Sequence, residues 1–435
     1  MIPIAVDAQD APGAVPRDVQ HYLRPGTLQL PALPPLALYV HLPWCLKKCP
    51  YCDFNSHELP APTLTPFAAP QGGASALGRP GGGPQPVPEA MYLDALRADL
   101  EAALPLVWGR KVISVFIGGG TPSLFSPEGI DRLIADIRAR LPLEAGAEIT
   151  LEANPSSVEA ARFAGFAAAG VNRLSLGLQA LDDADLKALG RPHDLAQGLA
   201  ALDIAQRHFA RVSFDLIYDR PGMTTQSWEA ELRRALGFGT DHLSLYQLTI
   251  EAGTRFAALH GKGLLTLPDS DVSADLFEMT RDMTAAAGIP AYEVSNHARV
   301  GSESRHNITY WTYGDYAGIG PGAHGRRMGT ATERIKKPEA WLAAVGDKGH
   351  GMASEVILSP DERATEALVM GLRLASGIDA GYFGVRTGCL LADVVRPDRV
   401  DRLVAQGLLE HDDAGLRLTL AGQPFVDAVL REIAK

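Results

Sequence analysis

Apolar positions along this chain fall in short runs separated by amphipathic stretches, and the two patterns alternate over most of its length. LALYVHL (Leu36 to Leu42) is rich in β-forming residues and bounded by prolines, which predicts a first strand. MYLDALRADLEAAL carries apolar residues at helical spacing, and KVISVFIGGG follows as a short buried-strand pattern. A helical stretch around Ile130 to Leu141 precedes AEITLEANP, and the alternation continues through RLSLGLQ, RVSFDLIYD and DHLSLYQLTIE. Six strands, each feeding a helix-length segment, predict parallel pairing through right-handed crossovers.

The chain divides accordingly. Residues 1–34 are Pro-rich and weakly patterned and read as an irregular arm. The α/β unit spans 35–270 and carries a Pro/Gly-rich, flexible insertion at 60–88. An extension occupies 271–354. From 355 to 435 an amphipathic helix leads into helix, short hairpin and helix, a winged-helix-like pattern, expected to act as a lid or docking module over the barrel mouth.

With 435 residues, 46% of them hydrophobic, the chain is long enough for two or three domains. A net charge of -11 argues against nucleic-acid binding, which needs a basic surface. The first twenty residues lack the pattern of a signal peptide, and no run is long enough to cross a membrane. Four cysteines without an even framework predict no disulfides and a reduced compartment, the cytoplasm.

Three of those cysteines carry the chemistry. Cys45, Cys49 and Cys52 stand as C-x-x-x-C-x-x-C in VHLPWCLKKCPYCDFNSH. That supplies three thiolates to a four-iron cube that usually takes four, leaving one iron open. The alternative is a zinc site or a set of core thiols, but zinc frameworks favour paired C-x-x-C units with a nearby fourth ligand. Cys389, in an apolar run, reads as a small buried hydrophobe. Working groups in parallel α/β folds gather at strand C-termini. Here GGGTP (Gly118 to Pro122) follows strand two, Glu152 ends strand three, Gln179 ends strand four and Asp215 lies in strand five. The glycines leave backbone N–H groups free to approach a ligand, or they simply make a tight turn.

The cysteine spacing is the signature of the radical S-adenosylmethionine (SAM) proteins, and it favours a partial (βα)6 barrel over a doubly wound sheet. From Leu36 onward the chain resembles the oxygen-independent coproporphyrinogen III oxidase group, through GGGTPS, LEANP, RLSLGLQ, LGRPHD, FDLIYDRPG and GIGPGAHG. The resemblance implies a [4Fe-4S] cluster on the three cysteines with exchangeable SAM at the open iron. It implies Tyr39 and Tyr51 beside that SAM, and Gly119, Gly120 and Thr121 against its methionine portion. Glu152, Gln179, Arg191 and Asp215 would hold the ribose, amino and carboxylate groups of one or two SAM molecules. A guanidinium suits a carboxylate clamp, though Arg191 also reads as a surface salt bridge.

Within that group the chain leans toward the heme chaperones. Asp53 and Phe54 follow Cys52 where the oxidases place another cysteine, and the oxidases' N-terminal R-Y-T-S-Y-P-T-like segment is missing. HNITYW (His306 to Trp311) resembles the H-N-x-x-Y-W motif associated with heme binding in the chaperones. His306 would be the axial ligand, Asn307 would orient its ring, and Tyr310 and Trp311 would face the porphyrin. The plainer reading is a loop with core aromatics. His324, in PGAHGRR, is a second candidate but suits a SAM-side loop better. The implied partners are heme, an acceptor hemoprotein and a second copy of the chain in a homodimer. The alternative function is radical decarboxylation of coproporphyrinogen III.

Overall fold

The computed structural model describes residues 33–59 and 88–435, so the N-terminal arm and nearly all of the 60–88 insertion lie outside the described residues. Six strands run parallel in sequence order: β1 (Leu36–Leu42), β2 (Val112–Gly119), β3 (Leu143–Ala153), β4 (Arg173–Gln179), β5 (Arg211–Tyr218) and β6 (His242–Gln247). Helices in the crossovers, among them α1 (Glu89–Val107) and α2 (Pro127–Arg140), cover the outer face. The fold is the expected partial barrel, with a helical C-terminal part.

Alternation within these strands separates a core from a site. Leu36, Leu38, Val40 and Leu42 of β1 point outward into the helix layer, as do Leu174, Leu176 and Leu178 of β4 and Phe214 and Leu216 of β5. The inward positions are mostly polar or small: Tyr39 and His41, Glu152 and Asn154, Ser175 and Gln179, Ser213 and Asp215, Ser244 and Tyr246, with Phe116 of β2 a large apolar exception. Parallel strands covered on both faces are normally apolar on both. A polar inner face suits contact with a bound ligand better than an apolar core.

The extension adds strands that the sequence reading did not separate. β7 (Asn296–Ala298) pairs antiparallel with β6. At the opposite edge β8 (Tyr316–Ile319) joins β1 in parallel, and β9 (His324–Arg327), β10 (Thr330–Arg334) and β11 (Met352–Ile357) continue antiparallel to complete an eleven-stranded sheet. Buried Asp99 on α1 fastens this edge. It accepts from Arg334 Nε at 2.9 Å and from the N–H groups of Gly320 and Gly351 at 3.2 and 3.0 Å.

HNITYW is not a loop but lies within a helix, α3 (Arg305–Trp311), N-capped by Ser304. It closes the floor of the barrel at the strand N-termini. Arg305 N–H donates to Glu148 at 2.9 Å, and Glu148 also takes Arg173 and Arg211, the first residues of β4 and β5. The C-terminal module, with its own core and a three-stranded antiparallel sheet, packs beneath this floor. Arg386 pairs with Asp315 just before β8, and Tyr313 donates to Glu366 at 2.8 Å. The module therefore stands at the end opposite the cysteine loop, and the expectation of a lid over the mouth is overturned. The chain leaves β11 and Gly329 on the floor side, which puts the last helices there.

Candidate functional site

The loop leaving β1 carries Cys45, Cys49 and Cys52, all free and half-buried. Short strands Trp44–Cys45 and His57–Glu58 close its base. Lys48 Nζ donates to the carbonyls of Phe54 and Ser56 at 2.9 and 3.2 Å, and Asn55 Nδ2 donates to those of Pro321 and Lys336 at 3.0 and 2.9 Å. Each sulfur meets a polar group. Thr121 Oγ1 donates to Cys45 Sγ at 3.4 Å, Arg191 Nη1 to Cys49 Sγ at 3.3 Å, and Ser56 Oγ stands 3.5 Å from Cys52 Sγ. Core thiols need no such donors, whereas cluster thiolates are tuned by them. Among the described residues no three Cys, His, Asp or Glu side chains converge as a lone ion requires. That is no obstacle to a cube, where each thiolate takes its own iron. Cys389 lies against the separate C-terminal core.

The donors form a connected arc. Arg191 Nη2 donates to Asn154 Oδ1 at 2.5 Å and to the Gly177 carbonyl at 2.9 Å, while Asn154 Nδ2 donates to Thr121 Oγ1 at 2.9 Å. Cys45, Thr121, Asn154, Arg191 and Cys49 are thereby joined. Asn154 escaped the sequence reading. Its only signal is its place two residues after Glu152, on the same inward face. Arg191 bonds sulfur, amide and carbonyl here, not a surface carboxylate. Burial pulls its guanidinium down, but Tyr51 and Cys49 outweigh that and hold it above its ordinary value. Tyr51 completes this side, its ring 6.1 Å from that of Phe256. Gln179 ends β4 with φ at +75°, strained for a residue with a side chain. A Cβ on Gly177 would stand 3.0 Å from Gln179 Nε2 and 3.3 Å from Arg191 Nη2, so these two side chains are neighbours.

GGGTP does not offer the free N–H groups expected of it. Gly119 N–H donates to Glu152 Oε2 at 3.1 Å, Gly120 N–H to the Leu42 carbonyl at 2.7 Å, and Thr121 N–H to the Trp44 carbonyl at 2.8 Å. The glycines are needed because β1's loop passes so close: a Cβ on Gly120 would stand 2.6 Å from the Pro43 and Trp44 backbone. A bound molecule can meet this backbone only through its carbonyl oxygens.

Glu152 and Asp215 face each other inside the barrel. Burial, then the Asp215 charge, pushes Glu152 up to about 7, and burial pushes Asp215 up to about 6. Ser175 Oγ lies 3.4 Å from Asp215 Oδ1. Two desolvated carboxylates favour a cationic or hydroxyl-bearing ligand. Tyr39 sits between this pair and the floor, its hydroxyl 2.9 Å from His41 Nδ1, and His41 Nε2 lies 3.0 Å from the Asn55 carbonyl. His324 is at the strand edge, exposed and 3.8 Å from Glu333.

His306 reaches up from the floor. Its ring stacks on Phe116 at 4.9 Å and Tyr39 at 5.9 Å, burial pushes it down to about 4, and Nδ1 is buried without a partner. The ring is therefore neutral at physiological pH, as an iron ligand must be. Asn307 does not orient it. Neighbours on a helix do not face each other, and Asn307 Nδ2 bonds the Tyr292 hydroxyl at 3.4 Å instead. Tyr310 contacts Trp311 edge-on at 5.2 Å and Tyr316 at 5.6 Å, and Trp311 turns away into a cavity shared with the C-terminal module.

The comparisons agree with this geometry. The Radical SAM superfamily profile matches residues 39–235, and the HemN C-terminal domain matches 358–425. The chain is 37% identical to the heme chaperone HemW of Escherichia coli, over 92% of this chain and 98% of that one. It is 40% identical to the mouse radical S-adenosyl methionine domain-containing protein 1, mitochondrial, over 91% and 86%. The solved coproporphyrinogen III oxidase HemN of Escherichia coli shares the fold, with a TM-score of 0.73 at 23% identity and coverage of 92% and 90%. No helix among the described residues is long and apolar enough to cross a membrane. Motif, barrel and relatives converge: the chain belongs to the HemW heme-chaperone family of radical SAM proteins.

Proposed function

We propose that this protein binds heme and passes it to an acceptor hemoprotein, and that it carries a [4Fe-4S] cluster on Cys45, Cys49 and Cys52 with SAM at the open iron. The observation that carries the reading is near-full-length identity to named heme chaperones, in a chain that places a neutral histidine of HNITYW in the barrel interior. The bound cluster would supply an open iron for SAM's amino and carboxylate groups and a one-electron store. Thr121 and Arg191 would donate to its sulfurs, and Asn154 would hold both in place. The carbonyls of Gly119 and Gly120 suit an ammonium group. Glu152 and Asp215 suit the ribose hydroxyls and the positive charge of SAM, with Gln179, Tyr51 and Tyr39 around them. Free thiols and an oxygen-sensitive cluster suit a reduced compartment such as the cytoplasm, and homodimer formation belongs to the same proposal. Domain limits near 270 and 355 are proposed with it.

The test is an anaerobic heme titration of cluster-loaded wild type and His306→Ala, followed in the Soret band. Stoichiometric binding that the substitution abolishes or shifts spectrally supports the reading. A wild type that does not saturate with heme would remove its central claim and leave the radical decarboxylase as the better description.

A further inference from the structure

The residues of HNITYW face two ways. His306 and Trp311 are five positions apart on α3, roughly 140° around the helix axis. His306 points into the barrel, whereas Trp311 lines a cavity of about 520 Å³ between α3 and the C-terminal module. That volume lies within the range of small-molecule sites. Its aromatic walls are Trp311, Tyr313, Tyr382 and Phe383; Tyr313 and Phe383 are buried, whereas Trp311 is half-buried and Tyr382 44% exposed, so these two rings remain reachable. Two cations, Arg386 and Arg417, lie on the same lining. Arg386 is committed to Asp315. Arg417 pairs with Glu410 and, at 3.8 Å, with Asp412, and both pairs are exposed and worth little in water, so its guanidinium can exchange to an incoming anion. The one acid on the lining, Asp379, already accepts the Tyr382 N–H as a helix cap. No histidine, cysteine or methionine lines the cavity, and of its two tyrosines Tyr313 is buried with its hydroxyl given to Glu366, so the lining offers rings and a cation more than iron ligands.

We infer that this cavity is a second porphyrin site, holding a flat, largely apolar ring against Trp311 and Tyr382 with a carboxylate on Arg417, apart from the iron-ligating position at His306. The inference rests on the proposed heme function but assigns the ring-binding surface to the seam with the C-terminal module.

The two positions differ in what they need from the ligand, which gives the test. Metal-free protoporphyrin IX should bind the cluster-loaded wild type and His306→Ala alike, read by porphyrin fluorescence under anaerobic conditions. Ser376 is exposed on the cavity rim, so Ser376→Trp fills the cavity with little effect on folding. That variant and Arg417→Glu should each weaken protoporphyrin binding at least tenfold. Unchanged affinity in both, or a wild type that takes heme but not protoporphyrin, would overturn this inference and leave the heme-binding reading standing. A wild type that takes neither would overturn both.

Discussion

Glu152→Gln should stabilise the cluster-free protein and weaken its hold on SAM. An unfolded glutamate ionises near 4.5, whereas the buried one in this barrel holds its proton to about 7. As pH rises past 4.5 the unfolded chain gains by ionising and the folded chain does not, so stability falls until the folded group also ionises. The difference of roughly 2.5 pH units corresponds to about 3 kcal/mol at pH 8, at 1.36 kcal/mol per unit. Glutamine keeps an acceptor for the Gly119 N–H, now 3.1 Å from the carboxylate, so little is lost in exchange. Anaerobic urea unfolding of both proteins at pH 5 and pH 8 is the assay. The variant's advantage should be small at pH 5 and reach about 2–3 kcal/mol at pH 8. An advantage equal at both pH values, or none at pH 8, would refute the argument that this carboxyl is held desolvated. SAM affinity, measured at pH 8 on the cluster-loaded proteins, should fall at least tenfold.

Three further outcomes follow from the same geometry. Replacing Cys45, Cys49 or Cys52 by Ala should abolish the broad iron–sulfur absorbance after anaerobic reconstitution, and full iron content in any of them would sink the ligand assignment. Asn154→Ala frees both Thr121 and Arg191 from the arc, and losing hydrogen bonds to a charged group costs about 1.5–3 kcal/mol. SAM affinity should drop tenfold or more with iron content unchanged, and unaltered affinity would make Asn154 merely structural. Asp99→Ala strands buried Arg334 and two backbone N–H groups, so urea unfolding should register a loss of about 3–5 kcal/mol. A loss below 1 kcal/mol would show that this edge is held by packing alone.

Much of the barrel is legible because its strands state their two faces openly. LALYVHL and RLSLGLQ match β1 and β4 residue for residue, since turns and prolines bracket runs whose outward positions are all apolar. Glu152, Gln179 and Asp215 were marked by their places on successive strands and Tyr39 by the family resemblance alone; that all four share one inner face is seen only in the folded chain. β8 was not legible, because it joins β1 in parallel from nearly 280 residues downstream, and no local pattern records that partner. The spent N–H groups of GGGTP were hidden for a related reason: their acceptors, Leu42, Trp44 and Glu152, come from other strands. The division of HNITYW was available in principle, since helical phase separates positions 306, 307 and 311, but only once the segment is known to be a helix. The module's place beneath the floor depends on Arg386 meeting Asp315, a contact that spacing cannot reveal.

The helix Arg305–Trp311 is a partition of about two turns, with the His306 ring on one side and the Trp311 ring on the other. It is capped at one end by Ser304 and fixed to the barrel through Glu148. Such a short rigid rod cannot move at Trp311 and stay still at His306. Work done on it from below is therefore delivered above, and linkage makes that exchange symmetric: the free energy with which one compartment favours or opposes occupancy of the other is the same in both directions.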